Sequence, residues 1–390
     1  MSTTHLQLLD LPNEIISHIF RCLDSPSPFL QASLKQPAPP FVRSHSSPLK
    51  QVSLLSRRLR KLALSHLFQH VLVNPSHLRL FLSFLSTNNL DVHVESVVAY
   101  LPSPCSHYHP PWWFQILVQL PKLTSLSVIA PPHIFSEVTE TNTRSRDIWA
   151  FNMPYQILQL QCHPSSDLET PAQHSPSWSN QPRIASGNHL LLARPWSSVL
   201  VNEGSSLKAY TTWEYWLRST PSPVYALSDS YRFSAFISNL RSFSLVSIFP
   251  IYGHVERALQ LIKQMHHLRR LFLKLIPEPD STVLDDEIEE AKGHLDVNDP
   301  WNEFDTSLAL TAAACLYLSE KKPEETNDWN MPRLGELREL RIDDVKMIGV
   351  RDNIEEIVTP RLSDKPNLGW AYEGNGLWKR VDKDTAHDTG

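Results

Sequence analysis

The sequence predicts an α+β protein in which a small N-terminal helical unit precedes an irregular α/β solenoid-like domain. Three observations carry this expectation. Apolar residues recur at three- and four-residue spacing over 11–23 and again over 49–67, which is helical periodicity. A second spacing, apolar, two others, Leu, two others, apolar, one other, apolar, occurs four times from residue 120 onward and ends in the period-two alternation of a strand. Proline outnumbers glycine 31 to 10, favouring stiff connections between short elements, because proline fixes φ and cannot extend a helix or a central strand.

The opening stretch Leu8 to Leu23 reads LLDLPNEIISHIFRCL. Pro12 suits a first helical turn, where its missing N–H would be unpaired anyway, and Asp10 and Glu14 put negative charge at the positive helix end. Ile15, Ile16, Ile19, Phe20 and Leu23 then form a wide apolar face that needs partners. The Ser- and Pro-rich stretch 24–48 reads as a mobile insert with too little apolar content to pack. Order resumes at Leu49, where Leu49, Val52, Leu55, Leu59, Leu62 and Leu67 recur at helical spacing between Arg57, Arg58, Arg60 and Lys61. Two short helices with a kink fit that pattern.

The segment LDLPNEIISHIFRCL followed by LKQVSLLSRRLRKLALSHLF resembles an F-box. The family pattern is matched at Leu11, Pro12, Glu14, Ile15, Ile19, Leu23, Leu49, Val52, Ser56, Arg57, Arg58, Leu62 and Ala63. The insert at 24–48 replaces a short family turn, and Leu59 stands where an aromatic is common. The resemblance covers roughly residues 1–70 and implies a contact with the Skp adaptor of an SCF-type ubiquitin ligase. Leu11, Pro12, Ile15, Ile19, Leu49, Val52 and Leu55 are the residues it assigns to that interface.

The rest, 71–390, is expected to be one domain. Its recurring spacing falls at Leu120-Leu123-Leu126-Val128, Ile237-Leu240-Phe243-Leu245, Met265-Leu268-Leu271-Leu273 and Leu334-Leu337-Leu340-Ile342. This resembles the strand half of a leucine-rich repeat, although the Asn usual after the strand is absent. Helical segments WWFQILVQL, GHVERALQLIKQM and DTSLALTAAACLYLSE precede several of these strands, and VLV, PSHLRLFLSFLS and VHVESVVAYL give strand, helix, strand from Val71 on. Such units bury their apolar faces only by stacking. Loops are expected at 162–188 and, as an acidic insert, at 277–300. Gly374-Asn375-Gly376 between aromatic-rich runs signals a closing hairpin.

Bulk properties exclude several classes. A net charge of −5 offers no global positive field to attract nucleic acid or anionic lipid. No run approaches the roughly 20 apolar residues of a membrane span. The four cysteines lie far apart with no paired spacing, and the N-terminus lacks an apolar secretory core. An intracellular chain with free thiols, cytoplasmic or nuclear, is therefore expected.

Reactive constellations are weak. Cys105, His107 and His109, with Cys162 and His163 as remote partners, lack the second close pair of a zinc site, so neither metal nor cofactor is expected. No nucleophile elbow, HExxH or glycine-rich phosphate loop appears, and no catalytic residue is assigned. Trp112 and Trp113, and the cluster Trp213, Tyr215 and Trp216, fit either binding platforms or core and helix-sheet packing; packing is the commoner role of such aromatics, and no ligand is assigned to them. His266 and His267 read as a surface helix end. Arg241, Arg269, Arg270, Lys274, Arg338 and Arg341 stand between inward-facing repeat residues and make a candidate basic face for an acidic or phosphorylated substrate. A solvated face, or neutralisation by Asp285, Asp286, Glu287, Glu289 and Glu290, would account for the same pattern.

The function implied is a substrate-recognition adaptor, not an enzyme. It would bind the Skp adaptor, and through it a cullin-RING ligase, while the repeat domain holds a protein substrate at high effective concentration. A scaffold that uses the same helices without ligase assembly is the alternative.

Overall fold

Helix α1 (Asn13–Leu23) starts directly after Pro12, with Glu14 in its first turn and Arg21 in its last, both matched to the helix dipole. Its stripe turns Ile16 and Phe20 inward, onto Leu49 of α2 (Pro48–Leu55) and onto Leu59 and Ala63 of α3 (Arg57–Leu67). The expected kink between α2 and α3 falls at Ser56. Its backbone is extended and its hydroxyl accepts the Leu59 N–H at 3.1 Å, which caps α3. Arg58 ties α3 to the start of α1 by donating to Asn13 Oδ1 at 2.9 Å and to the Leu11 carbonyl at 2.8 Å. The three helices thus close a core of their own. The other side of α3 joins the larger core through Leu64 and Phe68, and Phe68 meets Phe84 with ring centroids 5.6 Å apart.

The computed structural model describes residues 10–23, 33–37, 48–102, 111–162, 189–228, 230–291, 293–320, 336–347 and 349–381. Beyond the helical trio it is a mixed α/β structure built on a single sheet. The strands are β1 (His70–Val73), β2 (Ser96–Tyr100), β3 (Ser125–Ala130), β4 (Gln156–Gln161) and β5 (Ser198–Ser205). They continue as β6 (Ser242–Ile248), β7 (Arg270–Lys274), β8 (Glu339–Ile342), β9 (Trp370–Gly374) and β10 (Leu377–Arg380). Their order across the sheet is β1-β2-β3-β4-β5-β6-β7-β8-β10-β9, so each unit adds beside the one before it. Neighbours pair in parallel except around β4, which is antiparallel to β3 and β5, and around β10, which is antiparallel to β8 and, in the closing hairpin, to β9.

All four recurring spacings run into strands, namely β3, β6, β7 and β8. The expected hairpin is β9–β10, and its turn needs its glycines. Gly376 has φ +69°, and a Cβ there would lie 2.0 Å from the Ile342 carbonyl oxygen, a position only glycine can occupy.

Between the strands run α4 (Leu78–Thr87), α5 (Trp112–Gln119), α6 (Pro132–Thr139), α7 (Pro223–Leu227) and α8 (Ser230–Asn239). They are followed by α9 (Tyr252–Ile262), α10 (Val283–Ala291), α11 (Asn298–Ser319) and α12 (Val350–Ser363). Their apolar faces share one core with Val97, Leu126, Leu158, Val199, Phe243, Leu271 and Leu340, while the alternate strand residues Val98, Ile129 and Ile157 form a separate cluster. Because strand side chains alternate, the described helices cover one face of the sheet and none of them covers the other, termed the open face, although its residues on β2 to β6, among them Val98, Ile129, Ile157, Gln159 and Val246, are buried as well.

Four expectations are corrected. Within the insert 24–48, expected to be mobile, residues 33–37 pack on the open face with Ser33 and Pro37 buried and Pro48 begins α2, while 24–32 and 38–47 lie outside the described residues. The acidic stretch 277–300 is not a loop. It forms α10 and the start of α11, because Val283, Leu284, Glu287 and Ala291 repeat at helical spacing and turn toward the protein. Trp213 and Trp216 are not core; Trp213 is 83% exposed, whereas Trp112 and Trp113 are buried as expected. Strands β4 and β5 were not anticipated, for neither carries the repeat spacing. The loop expected at 162–188 lies outside the described residues after Cys162, as do Cys105, His107, His109 and His163. Among the described residues no group of His, Cys, Asp and Glu side chains could hold a metal ion, and no helix is long and apolar enough to cross a membrane.

Candidate functional site

Pairing register places the open-face side chains in three rows. The first runs His70, Ser96, Ser125, Gln161, Ser198, Ser242, Arg270, Glu339 and Lys379. The second runs Leu72, Val98, Ser127, Gln159, Leu200, Ser244, Phe272, Arg341 and Leu377, and the third Tyr100, Ile129, Ile157, Asn202, Val246 and Lys274. The face is therefore graded. Strands β1–β3 mix apolar and aromatic groups with His70 and the hydroxyls of Ser96, Ser125 and Ser127, and Tyr100 donates to the Tyr155 hydroxyl at 2.9 Å. Amides and hydroxyls follow on β4 to β6, and charge dominates from β7 to β10.

Over the amide zone lies the segment Ser33 to Pro37. Asn202, fully buried, donates from Nδ2 to the carbonyls of Ser33 and Lys35, both at 2.7 Å. Its Oδ1 accepts the Gly204 N–H at 3.2 Å, which fixes the direction of the amide. Lys274 donates to the Leu34 carbonyl at 3.2 Å and to Glu278. Ser33 Oγ donates to Gln159 Oε1 at 3.4 Å.

This geometry revises the expected basic face. Arg270 and Arg341 do stand on the open face. Glu339 is in register beside Arg270, however, and Asp343 approaches Arg341 at 3.5 Å, so the stripe alternates in sign. Lys274 is buried and engaged with Leu34 and Glu278, and so is withdrawn from any substrate while residues 33–37 are in place. Arg241, Arg269 and Arg338 precede their strands and are in phase with Phe243, Leu271 and Leu340, the helix-covered set. Arg269 lies 3.6 Å from Glu336. Exposed pairs of this kind contribute about 0–1 kcal/mol, so they shape the surface charge more than the fold. The acidic helix α10 does not take Lys274; Glu278, ahead of it, does.

The N-terminal trio offers a second surface. Ile15 is 49% exposed, Leu54 80% and Leu55 72%. Pro12 is exposed, and Leu11, Ile19 and Val52 are half-buried. Leu49 departs from the expected interface set: it is wholly enclosed among Ile16, Phe20, Leu59 and Ala63, because position 49 faces α1 and α3 rather than solvent. Leu54, unassigned by the sequence pattern, is the most exposed large apolar residue of the trio.

Several buried ionisable groups lie between sheet and helices. Glu203 on β5 accepts from Ser222, the N-cap of α7, and meets His254 of α9 with Nε2 at 2.9 and 2.8 Å from its two oxygens. Ser222 donates to the carboxylate and accepts the Val224 N–H at 2.9 Å, so its hydroxyl is engaged in capping α7. None of the three residues lines the cavity of about 600 Å³ beside α4 and α5 or the cleft of about 230 Å³ beside Lys274. The arrangement is a structural cross-link. Asp344 accepts from the N–H groups of Leu275 and Ile276 at 2.9 to 3.1 Å, and burial pushes it up to about 7. Burial likewise pushes Glu287 up to about 7; Ser205 and the Lys208 backbone act the other way, yet neither reaches full hydrogen-bond geometry. Cys162 is pushed up to about 11 by burial, opposed by the nearby Arg194 guanidinium. An inert thiol results.

No protein-family model matches the chain, and neither a curated protein nor a solved structure is significantly similar to it.

Proposed function

We propose that the protein is a substrate-recognition adaptor of an SCF-type ubiquitin ligase, which binds the Skp adaptor through α1–α3 and a protein segment on the open sheet face. The observation that carries this reading is the surplus of apolar surface on the trio. Its core closes around Ile16, Phe20, Leu49, Leu59 and Ala63, yet Ile15, Leu54 and Leu55 remain exposed. Unburied apolar side chains concentrated on one small unit are what an interaction surface requires. The F-box resemblance, carried by Leu11, Pro12, Glu14, Ile15 and the Ser56-Arg57-Arg58 run, names the partner. Two of those matched positions have a structural role here, Ser56 as the α3 cap and Arg58 as the tie to α1.

The mechanism is positional. One end anchors to the ligase and the other holds the substrate, so that a ubiquitin-charged enzyme meets a substrate lysine at high effective concentration. Co-purification with the Skp adaptor tests the reading. The wild-type chain is expected to retain the adaptor and an Ile15→Asp/Leu55→Asp variant, still folded by circular dichroism, to lose it. Failure of the wild type to bind would overturn the proposal.

A further inference from the structure

The segment 33–37, Ser-Leu-Lys-Gln-Pro, is held by side chains of the sheet. Three successive carbonyls, those of Ser33, Leu34 and Lys35, are received by only two residues, Asn202 and Lys274. Both are almost fully buried, and a buried amide or ammonium group is costly unless it finds acceptors. Contacts to carbonyls fix the path of a peptide whatever its side chains are. Selectivity must come from the flanks, and these are present. Leu34 lines the cleft of about 230 Å³ together with Val246 and Ile248, as do Lys35, Glu278 and Asp280. Pro37 abuts β5 at Gly204, where φ is +86° and a Cβ would lie 3.8 Å from the proline ring. A Ser- and Pro-rich stretch has little tendency to order itself; the order here is supplied by the site.

We propose that this part of the open face is a peptide-recognition site for a partner segment of the Ser-Leu-Lys-x-Pro type, and that residues 33–37 occupy it in cis as an autoinhibitory ligand. The chemistry required of the partner is an apolar residue followed by a basic one and, two residues after that, a proline. Asp280, beside Glu278 at the rim of the cleft, favours the basic residue, and the clamp needs a turn like that at 33–35, which brings two alternate carbonyls onto Asn202 and leaves the one between them for Lys274. The inference stands on the face alone and holds whether or not the trio binds the Skp adaptor.

The tethered segment competes at an effective concentration of the order of 1 mM. If cis and trans copies bind alike with a Kd of about 10–100 μM, the wild type should bind a trans peptide roughly 10- to 100-fold more weakly than a chain lacking the cis copy. The test uses the full-length chain with 33–37 replaced by Gly-Ser-Gly-Ser-Gly, and a fluorescein-labelled synthetic peptide of residues 31–39 followed by polarisation. Saturable binding to the replaced chain, weaker binding to the wild type, and loss of binding when Asn202→Asp removes the amide donor are the expected results. A folded replaced chain that binds no peptide, or a wild type that binds equally well, would overturn the proposal. Should the replacement unfold the chain, trypsin cleavage of the Lys35–Gln36 bond in the wild type reads the same competition. Excess peptide whose Lys-Gln bond is N-methylated, so that it keeps the lysine but is not cut, should accelerate that cleavage at least tenfold, and an unchanged rate refutes the idea.

Discussion

Leu49 and Leu55 sit six residues apart on one short helix, and both were assigned by sequence to the same interface, yet their surroundings demand opposite behaviour. Leu49 is enclosed by Ile16, Phe20, Leu59 and Ala63. Leu49→Ala removes buried methyl groups and leaves a cavity, a change that costs about 2–5 kcal/mol. Because the trio has its own core, the loss falls on α1–α3 first, and at about 1.4 kcal/mol per tenfold it should raise their amide exchange by roughly 30- to 4,000-fold. Leu55 is 72% exposed, so Leu55→Ala should stay within about 0.5 kcal/mol of the wild type. Hydrogen-exchange mass spectrometry of the two variants, resolved over 13–23 and 48–67, reads both effects. The expected pattern is a stability loss without direct interface contact for Leu49→Ala, and adaptor binding lost without a stability change for Leu55→Ala. Comparable exchange in the two variants would refute the assignment of Leu49 to the core and Leu55 to the surface.

Further outcomes follow from the buried groups. The folded chain keeps Glu287 protonated up to about pH 7, whereas the unfolded chain releases that proton near 4.5. Stability therefore falls as pH rises through that window. Glu287→Gln should match the wild type at pH 4 and exceed it by up to about 3 kcal/mol at pH 8 in urea unfolding; equal stability at pH 8 would show that the carboxylate is solvated. Glu203→Ala strands His254 and Ser222 in the interior, and a loss of about 3–5 kcal/mol is expected in the same assay; a loss below about 1 kcal/mol would mean that water replaces the carboxylate. Gly376→Ala forces a Cβ against the Ile342 carbonyl and should unpair the β9–β10 hairpin from β8, seen as faster exchange over 370–380.

Elements with a strict period were legible from sequence. The spacing that ends in Leu126-Val128, Phe243-Leu245, Leu271-Leu273 and Leu340-Ile342 marks inward positions of real strands, and the Ser56 break and the Gly374-Asn375-Gly376 turn follow from local chemistry. Strand β4 was not legible because it runs antiparallel: QILQLQ places Leu158 and Leu160 inward but follows no helix-to-strand spacing. Helix α10 was hidden by charge, since Glu287 occupies the middle of its inward stripe. The position of residues 33–37 depends on Asn202 and Lys274, some 170 and 240 residues away, and no local pattern encodes such a contact. On the candidate surfaces, composition indicated that basic residues cluster near β6–β8, but only register shows which of them share the open face and that Glu339 stands among them.

The most direct test of the adaptor reading is hydrogen exchange of the full chain with and without purified Skp adaptor. Protection confined to 11–23 and 48–67, with the sheet unchanged, is the expected result. No protection there, or protection on the sheet instead, would contradict the claim that the N-terminal helices are the anchoring surface.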